Sequence, residues 1–355
     1  MRVVYLFPEE LPMRAARGIQ AVNTVWALSE REEVLFIPAA FSPESKRFYA
    51  LQRKGPQIIP LARHLGPFKS QLIFVLRAFP FLKKADVLFT RHLKTAWWLL
   101  KFRSLHQKPL VYEVHEIFAE KKKEITRLEE EVFQNVDGLV TVSRGLKEEI
   151  LKRVRVAGKI TSIPNGTRIN SLSEDKLLAE VKEIFYIGSA HYFWKGTSLL
   201  FDVARLLPSE VKIIIVGEGD SQRISSISRI KFLGFQTPAD TYRILKRVSL
   251  AILPNSRKNR QSSYYTCPLK LLDYMAAGCA IVASDLPSVR EIVTPKEALL
   301  VTPDDAKALA EGIKKLVADR HLRLSLAREA YRKAKEFSWE KRAIRLCEFL
   351  REVAF

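Results

Sequence analysis

Short apolar runs rich in β-branched residues alternate with longer segments of helical periodicity along most of the chain. The first series of runs comprises Val3 to Phe7, Val34 to Ile37, Val87 to Thr90, Val111 to Val114 and Leu139 to Val142, and a second series extends from Ile160 to Val301. Strands that alternate with helices in this way are typical of βαβ units and of parallel sheets. The pattern therefore predicts two doubly wound α/β domains in succession.

Turn-forming residues separate the two series. Ile163 ends a strand and is followed by Pro164-Asn165-Gly166, where we expect a linker and a hinge. We therefore predict an N-terminal domain over residues 1–163 and a C-terminal domain over 168–337. Residues 338–355 carry an apolar stripe at helical spacing and predict an amphipathic helix that packs back on the N-terminal domain.

The length and the net charge of the chain limit the classes of protein to which it can belong. The 355 residues, 47% of them hydrophobic, are enough to form two sizeable cores. The net charge of +20 favours polyanions, whether nucleic acid, anionic lipid or phosphorylated glycan. The basic residues are scattered without interleaved aromatic RNA-binding motifs, which argues against nucleic acid as a partner and leaves a solvated basic surface as the alternative.

The sequence also predicts where the protein works. Its first residues lack the apolar stretch of a signal peptide, no run is long enough to span a bilayer, and three dispersed cysteines indicate reduced thiols, so we expect a cytoplasmic protein.

Apolar residues at helical spacing from Ser70 to Phe79 predict a helix that ends at Pro80, with basic residues nearby. This helix either packs on the sheet or rests on the anionic inner face of the cytoplasmic membrane.

The most informative segment runs from Cys267 to Val293. Pro268 suits the first turn of a helix, and the amides around Cys267 and Leu269 can then point at an anion. Asp273 follows one turn later, where a carboxylate can accept hydrogen bonds from ribose hydroxyls of a nucleotide whose phosphates lie at the helix tip. The segment predicts a nucleotide site, and an ordinary capped helix with an exposed acid is the alternative.

Several short motifs also lie at predicted strand ends or helix starts, and they occur in a specific order. They are IPNG at 163–166, YIGSAHYFWKG at 186–196, VGEGD at 216–220, FLGF at 232–235 and PLKLLDYMAAG at 268–278. Together they resemble glycosyltransferase family 4, whose members are retaining enzymes of the GT-B fold. The resemblance implies an α/β architecture of two Rossmann-like doubly wound domains facing a central cleft, with a nucleotide-sugar donor bound by the C-terminal domain. The N-terminal half, which holds the acceptor in the family, matches more loosely.

The resemblance implies how the donor phosphates are held. Lys195 lies at a predicted helix start, where a cation and backbone amides converge, and the matching lysine of the family contacts the departing diphosphate. Many family members carry an arginine where this chain has Ser189, directly after Gly188. Charge neutralisation is therefore expected to fall on Lys195, with help from His191 or Lys270.

The resemblance also implies contacts to the sugar, the ribose and the base. Family members tend to carry two glutamates separated by seven residues. Asp273 stands at the second of these positions, and Tyr265 stands at the first, where its phenol can bind a sugar hydroxyl but carries no charge. Phe235 lies where the family holds the base, and its ring either stacks on the base or packs in the core. Gly217 permits close approach of the backbone to a ligand.

Two positions of the predicted N-terminal domain complete the candidate site. Gly18 lies between the first strand and the helix that follows, at the position of the family's phosphate-facing glycine loop, and a simple turn glycine is the alternative. His115 ends the strand VYEVH, where the resemblance implies a contact to the donor sugar. A histidine that only stabilises the fold is the alternative there.

We therefore expect a retaining glycosyltransferase that moves a hexose-type sugar from a nucleoside diphosphate sugar to a hydroxyl of a glycan or lipid-linked acceptor, as in lipopolysaccharide, exopolysaccharide or glycolipid synthesis. His115 and Lys195 are the expected catalytic residues. The sequence contains no DxD motif, so we expect neither a metal nor another cofactor. A nucleotide-sugar epimerase of the same architecture and a non-catalytic basic protein that binds membrane or nucleic acid are the alternatives.

Overall fold

The protein folds into two compact units. The structure, a computed structural model, describes residues 1–51, 54–66, 68–118, 126–169, 171–189, 195–220 and 228–355. Unit 1 comprises Met1–Gly166 and Trp339–Phe355, and unit 2 comprises Thr167–Ser338. Each unit is built on a parallel sheet whose strands are connected by helices. The predicted α/β class is therefore confirmed.

Unit 1 contains seven parallel strands in its described residues. They are β1 (Arg2–Leu11), β2 (Glu33–Phe41), β3 (Gln57–Ile58), β6 (Val87–Thr90), β7 (Leu110–Val114), β8 (Gly138–Thr141) and β9 (Lys159–Ser162), and the short strands β4 (His64–Leu65) and β5 (Phe68–Lys69) form a separate antiparallel pair. The sheet order is β3-β2-β1-β6-β7-β8-β9. Every residue of β6, β7 and β8 is buried, which explains why these strands read as continuous apolar runs.

Helices connect these strands, and the last helix of the chain belongs to the same unit. The helices are α1 (Ala16–Leu28), α2 (Ser45–Phe48), α3 (Gln71–Leu82), α4 (Leu93–Lys101), α5 (Arg103–His106), α6 (Thr126–Asn135), α7 (Arg144–Arg153) and the C-terminal α15 (Trp339–Ala354). The apolar stripe of α15 is buried and packs on α1, while Phe349 also lies against Gly138 of β8. Burial of this stripe stabilises an otherwise charged helix.

The strand predicted to open the second series belongs instead to the first sheet. Residues 159–162 form β9, which pairs in parallel with β8, so that Ile160 lies opposite Leu139. An apolar run predicts a strand but carries no information about which sheet accepts it. The chain therefore leaves unit 1 only after this edge strand is in place.

The predicted end of a helix at Pro80 is wrong, because α3 continues to Leu82. The Ser70 hydroxyl caps its start by accepting a hydrogen bond from the Leu72 amide at 3.1 Å. Proline has no amide to donate to the carbonyl of Leu76, but Leu76 is half exposed, and water can hydrate that carbonyl. A proline in the last turns of a helix with one open face is thus tolerated.

Unit 2 contains a second parallel sheet, with six strands in its described residues. They are β10 (Glu183–Ile187), β11 (Lys212–Val216), β12 (Ile230–Phe232), β13 (Leu250–Leu253), β14 (Ala280–Ser284) and β15 (Leu299–Val301). The order is β12-β11-β10-β13-β14-β15, so the chain first builds outward from β10 in one direction and then in the other, starting at β13. Open parallel sheets bind ligands at such a reversal, outside the carboxyl ends of the two strands.

The helices of unit 2 enclose an apolar core around this sheet. They are α8 (Asp175–Leu178), α9 (Leu199–Leu206), α10 (Pro238–Leu245), α11 (Leu269–Ala276), α12 (Pro287–Arg290), α13 (Ala306–Ala318) and α14 (Arg320–Ala334), with a π-helical turn at Gln261–Tyr265 and a 3₁₀ turn at Lys335–Phe337. The buried guanidinium of Arg323 donates to the carbonyl oxygens of Leu177, Ala179 and Leu316, which ties α14 to the end of α8. Among the helices of the described residues, none combines the length and apolar character that a bilayer crossing requires.

A buried ion pair joins α15 to the sheet of unit 1. Glu113 on β7 is fully buried and Arg342 is 2% exposed, and Arg342 Nη2 lies 2.5 Å from Glu113 Oε1. Arg342 Nη1 also donates to the carbonyl oxygens of Ile163 and Pro164 at 2.8 and 2.5 Å. The same side chain thus fastens the C-terminal helix to a central strand and to the end of the first segment of the unit.

We expect Arg342→Met to destabilise unit 1 severely, because it leaves the Glu113 carboxylate buried without its strongest counter-charge. Breaking a buried ion pair costs on the order of 3–5 kcal/mol. Urea unfolding followed by circular dichroism measures the loss. Lys341→Met, at the exposed neighbouring position of α15, is the control and should change the free energy of unfolding by less than about 0.5 kcal/mol. Equal stability of the two variants would contradict this role of Arg342.

Candidate functional site

The loops at the reversal between β10 and β13 pack backbone against backbone. Gly196 has a φ of +74°, and a Cβ atom there would lie 1.8 Å from the carbonyl oxygen of Pro254. Gly217 has a φ of +152°, and its Cβ would lie 2.1 Å from the carbonyl oxygen of Gly188. Only glycine fits these positions. Main-chain atoms therefore form much of the surface at the carboxyl ends of these strands.

Tyr186 at the centre of β10 positions the loop that carries Lys195. Its hydroxyl donates to the Lys195 carbonyl oxygen at 2.9 Å and lies 3.0 Å from Thr197 Oγ1. Tyr186 is completely buried, and burial raises the pKa of its phenol. A Cβ at Gly188 would lie 2.2 Å from this hydroxyl, which explains the glycine after the strand.

Two lysines lie close to this tyrosine. Lys270 Nζ lies over the Tyr186 ring, 4.6 Å from its centroid, and the ammonium itself is buried. Among the residues that the structure describes, no acceptor reaches Lys270 Nζ within hydrogen-bonding distance. Burial and the nearby charge of Lys195 hold the pKa of Lys270 well below its ordinary value. Burial also lowers the pKa of Lys195, although Glu218 opposes this shift.

The start of α11 carries one of these ammonium groups, because Lys270 is the second residue of the helix. Pro268 is the N-cap residue, one position before the place predicted for it, and its side chain can make no capping hydrogen bond. The first amides of the helix, at Leu269 and Lys270, therefore form the positive end of the helix dipole without a side-chain cap. Cys267 is buried, and its sulfur is not part of a disulfide. Positive dipole and positive side chains together suit a phosphate.

Asp273 is held by the first residue of unit 2. Its Oδ1 accepts a hydrogen bond from Thr167 Oγ1 at 2.7 Å. Burial raises the pKa of Asp273 to about 6, although the Thr167 hydrogen bond and the Arg168 charge oppose this shift. Asp273 as a residue is half buried, and no hydrogen bond to Oδ2 exists within the described ranges. Oδ2 is therefore the oxygen that could accept a hydrogen bond from a ribose hydroxyl.

The two aromatic candidates of unit 2 have different surroundings. Tyr265 ends the π-helical turn, is 1% exposed, and its phenol oxygen accepts a hydrogen bond from Arg260 Nε at 2.8 Å. Phe235 is half buried and follows Gly234, which has a φ of +67°. Ser189 is half buried directly after Gly188. The predicted helper His191 lies outside the described residues.

Unit 1 holds the remaining predicted residues. Gly18 lies in the first turn of α1, and a Cβ there would lie 2.4 Å from Met13 Cγ and 2.7 Å from the Tyr49 hydroxyl, so close packing alone requires a glycine. His115 follows β7, and its Nε2 lies 3.0 Å from Glu113 Oε1. Burial and the Arg91 charge lower the pKa of His115 to about 4, although Glu113 opposes this. His115 is therefore a neutral imidazole at neutral pH.

The sequence interpretation missed several residues that contact the predicted ones. Tyr186, Arg260 and Thr167 each make a hydrogen bond to a predicted site residue, and Glu113 Oε1 lies 3.0 Å from His115 Nε2. For Glu113 a signal existed, because a charged residue stands two positions before His115 in an apolar strand and so shares its face of the sheet. For the others no short sequence pattern identifies the partner.

Two family models match successive parts of the chain. Glycosyltransferase Family 4 matches residues 18–170, and Glycosyl transferases group 1 matches residues 181–319. Solved structures share the fold: Anabaena HepE in complex with UDP-glucose superposes with a TM-score of 0.79 at 18% identity, covering 99% of this chain and 100% of that chain. WaaG, a glycosyltransferase involved in lipopolysaccharide biosynthesis, gives 0.69 at 12% identity, covering 98% and 99%. The predicted GT-B fold is thereby confirmed.

Curated relatives are similar over part of their length. Phosphatidyl-myo-inositol mannosyltransferase of Mycobacterium leprae is 27% identical over 208 residues, 54% of this chain and 53% of the relative. N,N'-diacetylbacillosaminyl-diphospho-undecaprenol alpha-1,3-N-acetylgalactosaminyltransferase of Campylobacter jejuni is 27% identical over 156 residues, 42% of this chain and 39% of the relative. The chain thus spans about half the length of the first of these relatives and less of the second. With the two family models, these findings show that the chain belongs to the family 4 type of glycosyltransferases.

We expect Gly196→Ala to destabilise unit 2 more than Gly234→Ala. Both glycines have a positive φ, which costs an alanine about 1–2 kcal/mol. Only Gly196 faces a carbonyl oxygen at 1.8 Å, whereas nothing among the described atoms lies within 4 Å of a Cβ at Gly234. The backbone shift should raise the total for Gly196→Ala to roughly 3 kcal/mol or more in urea unfolding. Similar losses in both variants would show that the loops are not tightly packed.

Proposed function

We propose that this protein is a retaining glycosyltransferase that moves a hexose-type sugar from a nucleoside diphosphate sugar to a hydroxyl of a glycan or lipid-linked acceptor. One observation carries the proposal: Lys270 is a buried ammonium without an acceptor, close to Lys195 and to the uncapped start of α11. A diphosphate supplies the missing negative charge and acceptor oxygens. HepE, which shares the fold, is recorded in complex with UDP and with UDP-glucose.

The proposed chemistry places the protein's positive charge where the leaving group develops negative charge. The bond from the anomeric carbon to the phosphate oxygen breaks, and the acceptor oxygen forms the new bond on the same face of the sugar. The acceptor proton passes to the departing diphosphate. Lys195, Lys270 and the first amides of α11 lower the energy of that diphosphate, because fixed donors need no reorganisation during the reaction.

Other predicted residues receive roles in this proposal. Asp273 Oδ2 accepts a hydrogen bond from a ribose hydroxyl, and the ring of Phe235 stacks on the base. Asn255, directly after β13, is 1% exposed and its side-chain oxygen accepts no hydrogen bond from a described residue, so it is a further candidate for a sugar hydroxyl. Tyr265 contributes to the same region through its contact with Arg260. His115, as a neutral imidazole, contacts a sugar hydroxyl.

The acceptor and the place of action are also proposals. The printed names of the relatives refer to phosphatidyl-myo-inositol and to a diphospho-undecaprenol carrier, which supports a lipid-linked acceptor. The net charge of +20 suits an anionic membrane surface. We propose a cytoplasmic protein that works at the inner face of the membrane, without a metal or other cofactor.

Lys195→Ala tests the role of the ammonium in turnover. Removing one donor to a developing oxyanion lowers kcat by about 10²–10³-fold, and we expect a loss of this size. Initial rates with a donor selected by thermal shift among UDP, GDP and ADP sugars give the measurement. Lys315→Ala, an exposed lysine on α13, is the control and should retain wild-type rates. A near-normal rate for Lys195→Ala would refute the assignment.

Product analysis of the same reactions separates the candidate activities. Free nucleoside diphosphate that forms with the acceptor, together with an unchanged anomeric configuration in the product, supports retaining transfer. An epimerised nucleotide sugar without acceptor would support an epimerase instead. Salt-sensitive binding to anionic vesicles without any thermal shift from a nucleotide sugar would support the non-catalytic alternative.

Binding of the nucleoside diphosphate should depend on pH through Asp273. Its pKa of about 6 means that the carboxyl is protonated below pH 6 and loses the charge that strengthens its hydrogen bond to a ribose. The affinity for UDP or GDP should therefore increase as pH rises through 6, as measured by calorimetry. Asp273→Asn should bind more weakly at pH 7.5 and show a smaller increase, which comes from the terminal phosphate of the ligand, itself with a pKa of about 6. An equal pH dependence in both proteins would assign the titration to another group.

A further inference from the structure

The carboxylate of Glu113 is an unusual feature of β7. It is fully buried, and burial of a charge is costly unless the charge is paired and hydrogen-bonded. Gln20 Nε2 and Arg342 Nη2 donate to its Oε1 at 2.6 and 2.5 Å, and His115 Nε2 lies 3.0 Å from the same oxygen. No described residue donates to Oε2. The carboxylate is thus held through one oxygen, and one of its partners is a predicted catalytic residue.

The protonation states determine which nitrogen of His115 carries its hydrogen. Burial raises the pKa of Glu113, but the charges of Arg342 and His115 outweigh this and lower it to about 2, so the carboxylate is ionised. Burial, Arg91 and Arg342 oppose protonation of the His115 ring, and Glu113 favours it, with a resulting pKa of about 4. Nε2 is the ring nitrogen that lies 3.0 Å from the ionised carboxylate, and the negative charge favours the tautomer of the neutral ring that carries its only N–H there. Nδ1 then carries the lone pair.

The partners of Glu113 are themselves fixed, so the carboxylate cannot rotate to suit another tautomer. Arg91 Nη1 donates to Gln20 Oε1 at 2.6 Å, which directs the amide nitrogen of Gln20 towards Glu113. Arg342 is anchored by the carbonyl oxygens of Ile163 and Pro164. Such outer partners commonly fix the tautomer and orientation of a functional imidazole.

We propose that Glu113 is a positioning residue, which keeps His115 protonated at Nε2 and so makes Nδ1 the acceptor for a substrate hydroxyl. This role rests on the proposed sugar transfer. It distinguishes two possible functions of the histidine, because a ring in this tautomer accepts a hydrogen bond from a sugar but donates none to a phosphate through Nδ1. Glu113 itself touches no substrate in this proposal.

The tautomer can be measured directly in the full-length protein labelled with ¹⁵N-histidine. In neutral imidazole the protonated nitrogen resonates well upfield of the bare one, and comparison with His115→Gln assigns the signals. We expect wild-type His115 to be protonated at Nε2 and to stay neutral down to about pH 5, given its pKa of about 4. A ring protonated at Nδ1 would overturn the proposal without any change at Glu113, even if changes there prevent folding.

The variant Glu113→Gln keeps the shape of the side chain but removes its charge. We expect a larger population of the Nδ1-protonated tautomer. We also expect kcat to fall by roughly tenfold or more, as for other partners that orient a functional histidine, with a smaller change in donor KM. Since Glu113 favours protonation of the ring, its removal leaves the imidazole neutral, and the loss should be the same from pH 6.5 to 8.5. An unchanged tautomer or an unchanged kcat would each overturn the proposal.

Glu32→Gln is a matched control for the loss of a buried carboxylate. Glu32 also lies in unit 1, its side chain is 2% exposed, and it pairs with Arg351 of the same helix α15 at 2.6 Å. A purely structural effect on the helix should lower kcat in both variants, whereas a positioning effect should appear only in Glu113→Gln. If the wild-type protein transfers no sugar, the proposed function fails, and the tautomer measurement still decides what Glu113 does to His115.

Discussion

The proximity of two ammonium groups is the constraint on which the interpretation of unit 2 depends. Lys270 lies over the ring of Tyr186, and Tyr186 holds the main chain of Lys195, so one buried phenol determines the position of both lysines. Their charges repel each other, and burial increases the cost of keeping either one ionised. The apolar core of the unit must offset this cost. An anion bound beside these two groups would reduce the repulsion between them.

The two units compensate buried charge in opposite ways. In unit 1 the Glu113 carboxylate accepts hydrogen bonds from Gln20 and Arg342 and lies close to His115, so its charge is compensated before any ligand arrives. In unit 2 the Lys270 ammonium finds no acceptor among the described residues. Completed networks rigidify a protein, whereas an uncompensated charge favours binding. This difference in how buried charge is compensated favours a fixed histidine in unit 1 and an anion site in unit 2.

Much of the fold could be predicted from the sequence, because buried parallel strands are continuous apolar runs. The strands at Val87–Thr90 and Leu250–Leu253 begin and end at the predicted residues. The short strand β3 was missed, since two residues show no periodicity. The assignment of β9 to the second series failed because pairing depends on tertiary contacts. The helix end predicted at Pro80 was wrong, because the free-energy cost of a proline inside a helix depends on whether water hydrates the carbonyl that it leaves unpaired.

The candidate site was only partly predictable. Motifs and resemblance identified Lys195, Lys270 and Asp273, because these residues lie next to loops and helix starts that follow strands. The contacts that give them their properties come from distant parts of the chain, such as the Thr167 hydroxyl at Asp273 and the Tyr186 ring at Lys270. No local pattern encodes such pairs. Their discovery requires the three-dimensional fold.

The hydrogen bond between Thr167 and Asp273 has a consequence for turnover. Thr167 donates a hydroxyl hydrogen bond to Oδ1, as the proposed ribose would to Oδ2, so part of the charge of the acid is already compensated by the protein's own chain. In the proposed site, a nucleotide shares the acid with Thr167 and gains less than it would from a carboxylate without this partner. A spent nucleotide loses equally little on departure. In the proposed sugar transfer, the threonine would thus weaken the hold on the spent nucleotide and favour its release.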